Sequence, residues 1–162
     1  MTPADFEYLA SILKDRSGLS IGPDKTYLLE SRLTPVARKN NLDDLDALVA
    51  EVRRSKKEAM LCEITEAMTT NESFFFRDAT PFEIFEKAIL PDLLEARASR
   101  KSLRIWSAAC STGQEAYSLS MILREMAPQL AGWRIEIVGT DISNEVLEKA
   151  KVGIYSQFEV QR

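Results

Sequence analysis

Residues 107 to 115, Ser-Ala-Ala-Cys-Ser-Thr-Gly-Gln-Glu, place a run of small side chains, one glycine and then an acid where an apolar run gives way to helical spacing. Ala108, Ala109, Cys110 and Ser111 leave room for a bound molecule to approach the backbone. Gly113 opens the turn, and the helix beyond it offers free N–H groups. A pyrophosphate-binding turn is richer in glycine and gains nothing from Glu115 in the first helical turn. An acid there suits a ligand of cationic character, a sulfonium or an amino group. Asp141, closing the next apolar run, is placed to accept hydrogen bonds from a ribose diol. The same residues have a plain structural alternative, since a lone glycine often follows a strand and an aspartate at a strand end often caps the next helix.

S-adenosylmethionine has that cationic character. The absence of histidine from all 162 residues removes the commonest general base, the Ser-His and Cys-His nucleophile pairs and most zinc sites. Chemistry here therefore rests on carboxylates, hydroxyls, arginine, lysine or a bound cofactor, and no metal site is expected. Cys62 and Cys110 read as reduced and unpaired.

The elements that must position these residues follow from periodicity. Thr2, Pro3 and Asp5 form a helix start with a capping box, Phe6, Leu9, Ile12 and Leu13 give one apolar face, and Gly18 is the stop. A second helical stretch carries Tyr27, Leu28, Leu33 and Val36 with Arg32, Arg38 and Lys39 interleaved, and Pro35 is expected to kink or divide it. Asp43 and Asp46 bracket a third helix start, and Met60, Leu61, Ile64 and Met68 mark a fourth. Residues 1 to 69 thus read as a helical bundle. Residues 70 to 80 form a connector, and Thr80 is expected to cap a helix that Pro91 kinks. Residues 81 to 162 then run β-α-β-α, with Ser143 at the start of the last helix, which makes a parallel sheet the economical arrangement. The fold class is α plus α/β: a helical bundle followed by the first half of a doubly wound, Rossmann-like domain. Trp106 and Trp133 are expected in its core.

A net charge of −4 gives no general attraction to nucleic acid or anionic membranes, and no apolar run reaches the roughly 20 residues of a membrane span. The start "MTPADFEYLA" lacks the features of a signal peptide, so a cytoplasmic location is expected.

Taken in order, "TTNESFFFRD", "RIWSAACSTGQEAYS", "VGTDIS" and "VGIYS" resemble the chemotaxis receptor methyltransferases of the CheR family, which methylate glutamate side chains of bacterial chemoreceptors with S-adenosylmethionine. The resemblance covers essentially the whole chain. It implies that the connector lies over the cofactor, that Asn71, Ser73 and Arg77 meet the cofactor or the reacting centre, and that Arg77 is catalytic. It further implies that Ala109 lines the cofactor loop, Glu115 holds the amino end or its surroundings, and Asp141 holds the ribose. Arg32, Arg38 and Lys39 would face the acidic methylation helices of a receptor. Three departures stand out: Ser73 where threonine is frequent, Gln114 where a second acid is usual, and Ala116 where proline is usual. Family members continue past the point reached here, so a truncated form with little activity, associating as a homodimer, is expected. The competing reading is a non-catalytic module that binds receptor or S-adenosylmethionine. A dehydrogenase is disfavoured because the turn lacks G-x-G-x-x-G.

Overall fold

The computed structural model describes residues 1 to 160. The chain divides into two compact units, Met1–Thr70 and Asn71–Arg162.

The first unit is all-helical. α1 spans Pro3–Ser17, and its start is the expected capping box: Thr2 accepts from the Asp5 amide while Asp5 reaches back to Thr2. Its end is Gly18 in the left-handed region (φ 75°), donating to the Lys14 carbonyl. A short 3-10 turn over Pro23–Lys25 leads into α2, Thr26–Lys39. Pro35 does not divide this helix. A mid-helix proline costs about 3 kcal/mol. Leu29, Leu33 and Val36 are buried on either side of it, and each buried aliphatic side chain contributes about 1.5–3 kcal/mol, so packing outweighs the lost hydrogen bond. α3 spans Leu45–Ser55 and is capped by Asp44, which falls inside the Asp43–Asp46 bracket. α4 spans Glu58–Met68. Leu9, Leu13, Leu29, Leu33, Leu48 and Ile64, all fully buried, form the centre of this unit's core.

In the second unit, residues 71–78 run irregularly into α5, Thr80–Ile84. Ala79 precedes the helix and Thr80 is its first residue, so Thr80 does not cap it. A π-helical turn, Phe85–Ile89, then joins α5 to α6, Leu90–Ala96. The wide turn closes with the Leu90 amide donating to the Phe85 carbonyl, immediately before Pro91. The element expected to kink at Pro91 accommodates the proline by this local widening.

β1 (Ser102–Ala108), α7 (Gln114–Glu125), β2 (Arg134–Thr140) and α8 (Asn144–Val152) complete a β-α-β-α run, followed by a short α9, Gln157–Val160. The strands pair in parallel, Ser102 with Arg134 through Ala108 with Thr140. Leu90, Leu103, Leu123 and Leu130 are buried together, with Trp133 and Ile135 packed against them. Trp106 corrects the expectation of a core residue: it is 69% exposed, and its indole N–H donates to Thr140 Oγ1. Strand alternation explains the difference, because Leu103, Ile105 and Ser107 take the covered face and leave Trp106 on the other.

Gly139 lies where a Cβ would come within 2.8 Å of the Cys110 sulfur. Gly139→Ala is therefore expected to destabilise the α/β unit by about 1–3 kcal/mol through overpacking. A lowered melting temperature with the helical unit unaffected is the measurement that checks it.

Candidate functional site

The loop after β1 is held in an unusual shape. Ala109 and Ser111 both adopt positive φ, 57° and 50°, and Gly113 follows at 97°. For residues with a Cβ this conformation costs about 1–3 kcal/mol each. The compensation is visible. The Ser111 amide donates to Asp141 Oδ2 at 2.8 Å, the Ser111 hydroxyl donates to the Asn71 carbonyl at 2.7 Å, and the Cys110 amide donates to the Thr140 carbonyl at 2.9 Å. Asp141 also accepts from the Ser143 amide through Oδ1 at 3.0 Å. Both its oxygens are thus committed to backbone amides at the C-terminal ends of the strands, and each keeps a second lone pair for a ligand.

Asn71 enters by its backbone, as the acceptor that ties residues 71–78 to the loop. A second tie lies five residues on, where the Phe76 amide donates to Ser118 Oγ at 2.9 Å. Ser118 is wholly buried on α7 and itself donates to the Gln114 carbonyl. The segment 71–78 is therefore laid across the loop and the start of α7.

Between them is a cavity of about 290 Å³ whose walls include Ser73, Phe74, Arg77, Ala109, Ser111 and Glu115. That volume sits near the lower end of small-molecule sites. Four of the residues singled out in the sequence, Ser73, Arg77, Ala109 and Glu115, meet there. Glu115 is exposed and positioned by the buried Ser107, whose hydroxyl donates to it at 2.7 Å. The Arg77 guanidinium is half-exposed, donates to the Glu72 carbonyl at 3.0 Å, and lies 3.6 Å from the Glu72 carboxylate and 4.0 Å from that of Asp78. It is a cation at the cavity wall whose partners among the described residues come from its own segment. The lining fits S-adenosylmethionine in two respects, with Glu115 an acceptor for an amino group and a loop whose small side chains leave its backbone open. Asp141, the acceptor expected for a diol, is joined to that loop through the Ser111 amide and is not among the residues that line the cavity.

Gly113 is placed elsewhere. It lines a separate apolar cavity with Tyr117, Ala150 and Lys151, and a Cβ on it would lie 3.1 Å from Ala150 and 3.2 Å from the Tyr155 hydroxyl. Its need for glycine comes from this packing and from its φ, so it shapes the loop from behind. Burial, followed by the neighbouring Asp141 carboxylate, pushes the Cys110 thiol up, which keeps it neutral.

The basic residues of α2 part company. The Arg32 guanidinium donates to the Met68 and Thr69 carbonyls at 2.9 and 3.0 Å, satisfying the end of α4. Lys39 pairs with Glu63 at 2.8 Å, and Arg38 is exposed. Arg32→Ala is expected to lower the stability of the helical unit by about 1–3 kcal/mol, because two helix-end carbonyls lose their donor. Arg38→Glu should leave the melting temperature unchanged, and thermal melts of the two variants separate the roles.

Sequence reasoning missed Ser107, Ser111 and Ser118 as the polar pins of the loop. Their signal was available in one respect: Ser107 on a strand face and Ser118 on a helix face, both otherwise apolar, need partners when buried, and so does Ser111 in the loop between them.

A strand, a small-residue turn and a helix with an acid in its first turn, set against an aspartate at the end of the next parallel strand, define a nucleoside-binding α/β domain. Comparison with known proteins narrows the class. The model of the CheR methyltransferase SAM-binding domain matches residues 71–162, and that of the CheR methyltransferase all-alpha domain matches residues 4–69. Chemotaxis protein methyltransferase 1 of Pseudomonas aeruginosa is 38% identical over 162 residues, covering 98% of this chain and 58% of the relative. The Vibrio anguillarum chemotaxis protein methyltransferase is 36% identical over 166 residues, covering 100% and 59%. That of Salmonella typhimurium is 32% identical over 161 residues, covering 99% and 53%. The chain belongs to the CheR methyltransferase family, and its α/β unit is that family's S-adenosylmethionine-binding domain. It spans less than two thirds of the length of these relatives.

Proposed function

We propose that this chain carries the cofactor-binding and receptor-facing parts of a cytoplasmic protein-glutamate O-methyltransferase acting on chemoreceptors. The single observation that supports it most is the cavity where Ser73 and Arg77 of the connector meet Ala109 and Glu115 of the loop. S-adenosylmethionine supplies an activated methyl group when bound. The acceptor is a carboxylate, which has an ordinary pKa of about 4.3 and is ionised at neutral pH, so no general base is required. A chain without histidine can run this reaction.

The protein's contribution is then positional. Glu115 holds the amino end, Asp141 accepts from the ribose, and Ala109 offers the loop backbone. Segment 71–78 excludes water, with Asn71 fixing it to the loop and Ser73 contributing a hydroxyl. Arg77 orients the incoming carboxylate and screens its charge. Good alignment of reacting groups accounts for about 7–11 kcal/mol of a barrier.

Arg38 is the cation of α2 that supports a receptor-facing role, together with Lys39 in its pair with Glu63. Arg32 contributes to that face mainly by holding the end of α4. Among the described residues no helix is long and apolar enough to cross a membrane. The uncovered sheet face around Trp106 suits association with a second copy, which light scattering tests: a dimer supports the reading and a monomer contradicts it.

Incubation with S-adenosylmethionine labelled in the methyl group and a receptor fragment bearing its acidic helices tests the function. Label that is released as methanol by mild base, at the low level expected of this form, is the expected result. Base-stable label, or transfer to a residue other than glutamate, would exclude a glutamyl ester.

A further inference from the structure

Tyr155, in the irregular stretch between α8 and α9, contacts both the loop after β1 and segment 71–78, the two parts that frame the cavity. Its hydroxyl donates to the Thr112 carbonyl at 2.6 Å, at the end of the cofactor loop. Its ring meets the ring of Phe75 edge-on at 4.9 Å, in the middle of segment 71–78. On its other side Tyr117 of α7 packs at 5.8 Å, also edge-on, and the Tyr117 hydroxyl donates to the Ala150 carbonyl at the end of α8. Two glycines make room for this arrangement. A Cβ at Gly113 would lie 3.2 Å from the Tyr155 hydroxyl, and one at Gly153 would lie 2.7 Å from that of Tyr117.

Residues 71–78 contain no regular helix or strand, so their position depends on side-chain ties. Asn71 and Phe76 are held by hydrogen bonds to Ser111 and Ser118. Phe75, between them, is held by Tyr155. Edge-to-face ring pairs of this kind hold position better than burial alone would, because the ring quadrupoles favour one relative orientation.

We propose that Tyr155 is a positioning residue for the methyl-transfer site: through its ring it keeps segment 71–78 over the cavity, and through its hydroxyl it fixes the loop peptide at Thr112. It acts on the cavity through Phe75 and Thr112. This inference rests on the assignment of the cavity to S-adenosylmethionine for its functional consequence, while the clamp itself is a property of the free protein. Burial, ahead of the neighbouring Tyr117, pushes the Tyr155 phenol up to about 12, so the hydroxyl remains a donor at neutral pH.

Amide hydrogen exchange on the ligand-free chain, followed by titration with S-adenosylhomocysteine, tests the proposal. In Tyr155→Ala the Phe76 amide should exchange at least tenfold faster while the amides of α6 stay unchanged. Tyr155→Phe, which keeps the ring, should restore protection at Phe76 and loosen only the amides at 111–113. In the titration, Tyr155→Ala should weaken binding about tenfold or more and Tyr155→Phe only a few-fold. Unchanged exchange at Phe76 in Tyr155→Ala, or an equal rise there and in α6, overturns the clamp. If Tyr155→Ala does not fold, Phe75→Ala releases the same segment from the opposite side and must give the same local pattern. Wild-type protein that fails to bind S-adenosylhomocysteine would count against the cofactor assignment, and the exchange result would still decide the clamp. Wild-type and Tyr155→Ala protein binding equally well would overturn the positioning role and leave the cofactor assignment intact.

Discussion

Asp141→Ala is expected to lose S-adenosylhomocysteine binding by 10²-fold or more and to lower the melting temperature of the α/β unit as well. The carboxylate is joined to two backbone amides, those of Ser111 and Ser143, and both residues are buried. Stranding buried donors costs about 1–3 kcal/mol each, so about 2 kcal/mol or more is at stake before any ligand is considered. In a unit of this size that corresponds to a fall of roughly 8 °C or more. Ser111 holds a positive φ partly because of this bond, so its release also disorders the loop that faces the cavity. The acceptor proposed for the ribose disappears at the same time. Asp141→Asn, keeping one oxygen acceptor, should recover part of the stability and little of the binding. Calorimetry of both variants with and without the ligand separates the two contributions, and unchanged affinity in Asp141→Ala would contradict the assignment.

Arg77→Ala should behave in the opposite way, with a large effect on the reaction and a small one on the fold. The guanidinium is half-exposed and its partners, Glu72 and Asp78, belong to its own segment. Exposed ion pairs of this kind contribute about 0–1 kcal/mol to stability. Removing a charged group that is aimed at the reacting centre typically costs about 10²–10³-fold in rate. A single-turnover methyl-transfer assay beside a thermal melt gives the answer. A collapsed melting temperature with surviving transfer would make Arg77 a structural residue.

The parts of this fold that were legible in the sequence are those decided locally. Thr2 and Asp5 form their capping box within four residues, Gly18 stops α1 because its own φ permits it, and the switch from helical to strand spacing at Leu103 marks the α/β unit. What was illegible depends on partners distant in the chain. Arg32 binds carbonyls 36 and 37 residues away, and no feature of α2 announces that. Pro35 stays inside a helix because of neighbours that the local rule ignores. Trp106 faces outward because alternation assigned the covered face to Leu103, Ile105 and Ser107, and the amino-acid type alone favoured burial. In the site, Glu115 was legible as an acid in a first helical turn and Asp141 as one at a strand end. That Asp141 would spend both oxygens on the loop backbone, and that Gly113 would serve the packing of Tyr117 and Tyr155, required the geometry.

The central claim is that the cavity between segment 71–78 and the loop after β1 is the S-adenosylmethionine site. Mapping amide protection on this chain as S-adenosylhomocysteine is added tests it most directly, with NAD as the comparison ligand. The account predicts saturable one-to-one binding of S-adenosylhomocysteine alone, with protection confined to residues 71–78, 109–115 and the amides next to Asp141. Protection appearing instead around the separate cavity lined by Tyr117, Ala150 and Lys151, or binding of NAD with equal strength, would contradict it.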